Sequence, residues 1–228
     1  MFGIKISSKG GPEPESQTDF KYVEGIFNEM KFGMDNDATT GSRNPGLYCN
    51  TDGWKFYENN AADPWRPAEK ISDRKRKQIF PRGAWGFNYN LVMFPDSTSE
   101  THGMCKDGVH AETVAPSSFI TWCNYGFAVL ALSLQPNAVK QWDYLSDPSR
   151  ETMSLTWVHE FAHFYGSYSE TNGLPDKPAV DENGNAIFGE GGVPVKTYGA
   201  PYVINLAKKS PRDATHTADA YAWFAVAM

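Results

Sequence analysis

Trp157-Val158-His159-Glu160-Phe161-Ala162-His163-Phe164 sets two imidazoles four residues apart, with a glutamate directly after the first. On a helix of ~3.6 residues per turn, a four-residue step rotates by roughly 40°, so His159 and His163 share one face a turn apart and can hold one metal ion. A zinc ion held by neutral imidazoles makes a water acidic, and a carboxylate beside it can take the proton. A random shuffle of these residues gives H-E-x-x-H on the order of 0.005 times, so the pattern carries information.

The surroundings suit a helix. Asp147-Pro148 has the form of an N-cap with proline in the first turn, and Leu155, Val158, Ala162 and Tyr165 make an apolar stripe at three- and four-residue steps. Elsewhere the 228 residues, 40% hydrophobic and 14% aromatic, fit one globular domain, and no apolar run reaches the ~18 residues of a membrane span. A net charge of −6 argues against nucleic acid as a partner. The basic cluster Arg74-Lys75-Arg76-Lys77 falls in Glu69 to Phe80, which reads as a short helix with a solvated face.

Residues 1–19, rich in Gly, Pro and Ser, read as a disordered or loosely attached segment without a signal peptide. Phe20 to Met34 has helical spacing of its apolar residues. Asp35 to Trp65 reads as long loops with an edge strand near Trp54 to Tyr57, and strands are expected at Asn88 to Phe94, Val109 to Val114 and Ser118 to Cys123. Phe127 to Leu134 suits either a buried helix or a buried strand. The six glycines and two prolines of Gly166 to Gly192 predict a long loop, followed by helices at Ala200 to Lys208 and Ala214 to Ala227. Three cysteines, Cys49, Cys105 and Cys123, leave either three free thiols or a Cys105–Cys123 bridge with Cys49 unpaired.

Two histidines are part of a zinc site; a catalytic zinc takes three protein ligands and keeps one position open. The metzincin pattern requires a third histidine where this chain has Ser169, although Gly166 matches its glycine. His216 is the one histidine further on. The downstream carboxylates are Glu170, Asp176, Asp181, Glu182, Glu190, Asp213 and Asp219.

His159-Glu160-Phe161-Ala162-His163, then Tyr198-Gly199, then Ala218-Asp219-Ala220-Tyr221-Ala222-Trp223-Phe224-Ala225 resemble the deuterolysin-type aspzincin metalloendopeptidases, which are mostly secreted fungal enzymes. Ala115 to Cys123 is similar to the stretch that runs into a cysteine ahead of the metal helix in that family. The resemblance covers Cys105 to Met228. It implies an α+β, zincin-like single domain over residues 20–228, mainly helical with a small sheet preceding the H-E-x-x-H helix. It also implies a Cys105–Cys123 disulfide, Zn2+ as cofactor, a protein or peptide substrate, and secretion as a monomer.

The same resemblance places Val195 where the family's Gly-Thr-x-x-Asp-x-x-Tyr-Gly motif has its third ligand. Either the loop carries an insertion and an earlier carboxylate reaches back, or the site is incomplete and the chain is a degenerate binding or effector module. Asp181 is the first choice of ligand, ahead of Asp219 and Glu190. Glu160 is the expected general base. Tyr125 and Tyr198 are the candidate phenols for the oxyanion, and Asp219 is the candidate substrate-binding carboxylate, favouring basic residues after the scissile bond.

Overall fold

The computed structural model describes residues 1–35, 45–49, 53–74, 83–87, 90–92, 105, 108–114, 119–130, 153–166 and 174–227. Its elements are α1 (Gln17–Asp35), β1 (Gly46–Cys49), β2 (Lys55–Glu58), β3 (Ala62–Asp63), β4 (Arg66–Lys70), β5 (Gly83–Phe87), β6 (Asn90–Val92), β7 (Ala111–Val114), β8 (Phe119–Trp122), α2 (Asn124–Leu130), α3 (Met153–Gly166), α4 (Ala200–Lys209), α5 (Pro211–Thr215) and α6 (Ala218–Ala227). The protein is thus α+β. By its contacts the chain divides into two compact units, Met1–Pro45 with Leu130–Met228, and Gly46–Val129.

The first unit is helical and built around α3. Leu155, Thr156, His159, Glu160, Ala162, Phe164, Tyr165 and Gly166 are all buried, so this helix turns most of its circumference to protein. Its main neighbour is α6, whose buried Ala218, Ala220 and Ala222 leave room for a close approach while Tyr221 and Trp223 fill the space around them. Helix α1 covers α3 with Val23, Ile26, Met30 and Gly33, a three- and four-residue repeat. At Gly33 a Cβ would lie 2.2 Å from the ring of Tyr165, so a glycine is what lets these two helices meet.

Residues 1–19, expected to be loose, make contacts both among themselves and with the helices. Ile6 pairs with Pro12, and Glu13 N donates to Lys5 O at 2.8 Å. Phe2 is buried, with its ring 5.0 Å from that of Tyr221 and 5.3 Å from that of Phe224. One aromatic anchor outweighs the Gly and Ser content around it.

The expected helix from Ala214 to Ala227 is also divided. Ser210 accepts from Asp213 N at 3.2 Å and caps α5, which ends at His216, and α6 starts afresh at Ala218. Thr217, in the break, accepts from Lys177 N at 3.3 Å.

The second unit holds three small sheets. Strand β8 lies between β1, parallel to it, and β7, antiparallel; β5 lies between β2 and β6, both antiparallel, and β3 pairs with β4. All four residues of β8 are buried. Trp54 and Phe119, with rings 4.8 Å apart, form a core with Tyr48, Trp85 and Phe87 against it. Where a helix was expected from Glu69, β4 runs to Lys70 and a short 3-10 turn spans Ile71–Arg74; residues 75–80 lie outside the described ones. Strand β1 was not anticipated. Helix α2 resolves the segment from Phe127 as helical up to Leu130, but with Phe127 and Val129 exposed.

Cys105 and Cys123 are disulfide-bonded, and Cys49 is a free thiol at the surface. No helix among the described residues is long and apolar enough to cross a membrane. The bridge closes a sequence separation of 18 residues, for which chain-entropy reasoning gives about 3 kcal/mol. A Cys105→Ser/Cys123→Ser variant is expected to lose stability on that scale in urea unfolding. Titration of the unreduced, denatured wild type should find one thiol; three would mean that the bridge is absent.

Candidate metal centre

Helix α3 presents His159 and His163 on one face with ring centroids 4.6 Å apart and Nε2 atoms 2.9 Å apart. A third donor comes from beyond the helix. Asp176 Oδ1 lies 3.4 Å from His159 Nε2 and 3.3 Å from His163 Nε2. Among the described residues, these three make the one group of His, Cys, Asp or Glu side chains close enough together to hold a metal ion.

The hydrogen bonds behind the donors decide what the donors can accept. Asp219 Oδ1 lies 3.1 Å from His159 Nδ1, and the carbonyl of Leu174 faces His163 Nδ1. Both partners are acceptors, so each Nδ1 carries the hydrogen and each neutral imidazole turns a bare Nε2 lone pair inward. Asp176 Oδ1 is buried there without a hydrogen bond. Two lone pairs and a carboxylate oxygen facing one point repel one another unless a cation lies between them. Tetrahedral ligands at the usual zinc distances are separated by about 3.3 Å, close to the spacings found. The residues fit a divalent metal.

In the metal-free protein, protons take that place. Burial opposes the charge on His159, but the hydrogen bond to Asp219 and the negative charges of Asp176 and Glu160 outweigh it and raise its pKa to about 9. His163 is raised as well, burial being overcome mainly by Asp176. Burial opposes ionisation of Asp176 too, yet the two imidazoles and the Tyr198 hydroxyl hold its carboxyl well below the usual range.

Tyr198 donates its hydroxyl to Asp176 Oδ2 at 2.8 Å, while its ring is 53% exposed. Burial of the hydroxyl and the charge of Asp176 push its pKa up, so it stays a protonated donor. The next residue, Gly199, donates its N–H to Asp219 Oδ2 at 2.7 Å with φ of 98°, a conformation that favours glycine. The site therefore closes on itself: His159 to Asp219, Asp219 to Gly199, Tyr198 to Asp176, and Asp176 back to the imidazoles.

Asp181, the first choice for the third ligand, is not brought to the histidines. Its oxygens accept from Asn183 N at 2.9 Å, Asn185 N at 2.8 Å and Asn185 Nδ2 at 3.1 Å, which makes it the keystone of its own surface turn. Asp176, one of seven downstream carboxylates in the sequence, takes the place instead. Glu190 sits exposed in a short 3-10 turn, and His216 stacks on Tyr22 at 4.1 Å.

Asp219, the expected substrate-binding carboxylate, is buried, with one oxygen on His159 Nδ1 and the other on Gly199 N. Glu160 is buried on α3 next to His159, and its charge is felt at both imidazoles. Tyr125 belongs to the second unit, on α2, where its ring stacks on His110 at 5.4 Å.

Neither a protein-family model, nor a curated protein, nor a solved structure matches this chain.

Because His159 in the metal-free fold titrates near 9 and in the unfolded chain near 6.5, its stabilising contribution is complete below about pH 6.5 and lost as pH rises through about 9. A metal must displace that proton. Affinity is therefore expected to rise at least about tenfold per pH unit between about pH 6.5 and 8.5, more steeply where His163 also gives up a proton, read by competition with a chromophoric chelator; a flat profile would contradict the proton's place. In the same assay Asp219→Ala should weaken metal binding about 10- to 100-fold, and an unchanged constant would show that His159 does not need its carboxylate.

Proposed function

We propose that this chain is a zinc-dependent endopeptidase of aspzincin type, with His159, His163 and Asp176 as the residues that hold the zinc and Glu160 as general base. The single observation that carries the reading is the convergence of His159 Nε2, His163 Nε2 and Asp176 Oδ1 immediately beside Glu160. Two imidazoles and one carboxylate are a donor set of catalytic rather than structural zinc sites.

The order of residues supports the aspzincin comparison. Thr197 N and Oγ1 both donate to Lys177 O at 2.8 Å, so residues 178–196 leave and rejoin the chain at one point. With that excursion set aside, Asp176-Lys177-Thr197-Tyr198-Gly199 reads as Asp-x-x-Tyr-Gly. Val195 then falls inside the excursion, and the alternative of a degenerate binding or effector module, which rested on it, loses its support.

A bound zinc would supply Lewis acidity, polarising a substrate carbonyl and lowering the pKa of water. Glu160 takes a proton from the attacking water and passes it to the departing amine as the C–N bond breaks. Tyr198, kept protonated, can leave Asp176 Oδ2 and donate to the oxyanion that develops. Asp219 keeps the His159 Nε2 lone pair directed at the metal position throughout. The substrate is a protein or peptide, and we read the enzyme as extracellular, supported by the Cys105–Cys123 bridge. Both oxygens of Asp219 are occupied within the fold, which leaves neither for a basic residue after the scissile bond.

Glu160→Gln is expected to bind zinc as the wild type does and to cleave denatured protein at least about 10²-fold more slowly. Chelator should abolish wild-type cleavage and added zinc restore it. Cleavage that survives both the substitution and the chelator would rule out this mechanism.

A further inference from the structure

We propose that Gly166 is a positioning residue for the metal centre: having no side chain, it lets Leu174 seat against the last turn of α3, and that seat sets both the orientation of His163 and the reach of Asp176. The inference rests on the metal reading above. Gly166 closes α3 three residues after His163. A Cβ there would lie 2.3 Å from Leu174 Cγ, 2.9 Å from its Cδ1 and 3.1 Å from its Cβ. Cβ and Cγ sit near the backbone, so rotation of the end of the side chain cannot relieve the collision. Leu174 is 1% exposed, so it cannot relieve the collision by swinging out into solvent without losing its burial.

Two metal donors hang on that residue. The Leu174 carbonyl accepts from His163 Nδ1, and this bond fixes the tautomer that turns the Nε2 lone pair inward. Asp176 follows after a single residue, Pro175, whose ring fixes φ and stiffens the connection between Leu174 and the ligand. Pushing Leu174 outward therefore moves a carbonyl and a carboxylate together. Local propensity points the other way. Gly166 is a helical residue without a positive φ, and alanine is a better helix former than glycine. The two views give opposite expectations for one substitution.

The test is zinc affinity by chelator competition, with the absorption of the cobalt-substituted protein as a second readout, on the wild type, Gly166→Ala, Leu174→Ala and the double variant. Thermal melting in chelator checks that each is folded. Gly166→Ala is expected to lose at least about tenfold in affinity and to change the cobalt spectrum. In the Leu174→Ala background, where the obstructing atoms are gone, the same change should cost less than about threefold. Equal affinity in Gly166→Ala and wild type overturns the proposal, and so does an equal loss in both backgrounds. Failure of Gly166→Ala or of the double variant to fold overturns it too, since Gly166 would then serve the fold as a whole. A wild type that binds no metal removes the metal reading along with this one, whereas a wild type that binds beside an equally tight Gly166→Ala removes this one alone.

Discussion

Three electron-rich atoms, His159 Nε2, His163 Nε2 and Asp176 Oδ1, lie between 2.9 and 3.4 Å from one another at a largely buried point. Left without a cation they repel, and the fold holds them there because each is gripped from behind. Asp219 holds one imidazole and the Leu174 carbonyl the other, while the Tyr198 hydroxyl holds the far oxygen of Asp176. Much of the first unit can be understood as the means of bringing those grips together. Helix α6 starts at Ala218 and places Asp219 in its first turn against His159, while the helix expected from Ala214 is broken at His216 and Thr217.

The supports are coupled through the backbone as well as through hydrogen bonds. Asp219 uses one oxygen on His159 and the other on Gly199 N, which anchors the residue next to Tyr198. Its charge lies in the first turn of α6, where the helix dipole favours an anion, so a buried carboxylate is tolerated at that position. Thr217 binds Lys177 N on the other side of Asp176. The chain just after the third donor is therefore held by the same short stretch that orients the first.

What could be read from the sequence was what is local. His159, Glu160 and His163 lie within one helical turn, so their spacing alone predicts a shared face, and α1 and α4 follow from their own periodicity. Asp176 was hidden for a physical reason. Its side chain is held by contacts with residues 13 to 22 positions away, and the shortest route in sequence, counting back from Tyr198-Gly199, runs into the excursion that holds Val195. Asp181 looked attractive because it precedes a glycine turn, and the same turn consumes its oxygens. The strand β1 escaped notice because its partner β8 lies about seventy residues on, and parallel pairing leaves no hairpin signal nearby. The contacts of the N-terminus rest on Phe2 and on backbone bonds such as Glu13 N to Lys5 O, which a Gly-rich background does not announce.

Residues 178–196 form a lobe with its own backbone ladder: Ala179 N donates to Val195 O, Val195 N to Ile187 O, and Ile187 N to Ala179 O. Its neck is the pair Lys177 and Thr197, joined by one backbone and one side-chain hydrogen bond. In evolutionary terms that neck is a splice point. Chain can be added or removed beyond it while Asp176 on one side and Tyr198 on the other keep their places, because a loop whose ends already meet costs little more when it lengthens. That freedom belongs to the exposed tip, residues 189–193, because Val180 nearer the neck packs with Leu206, Ala207 and Ala214.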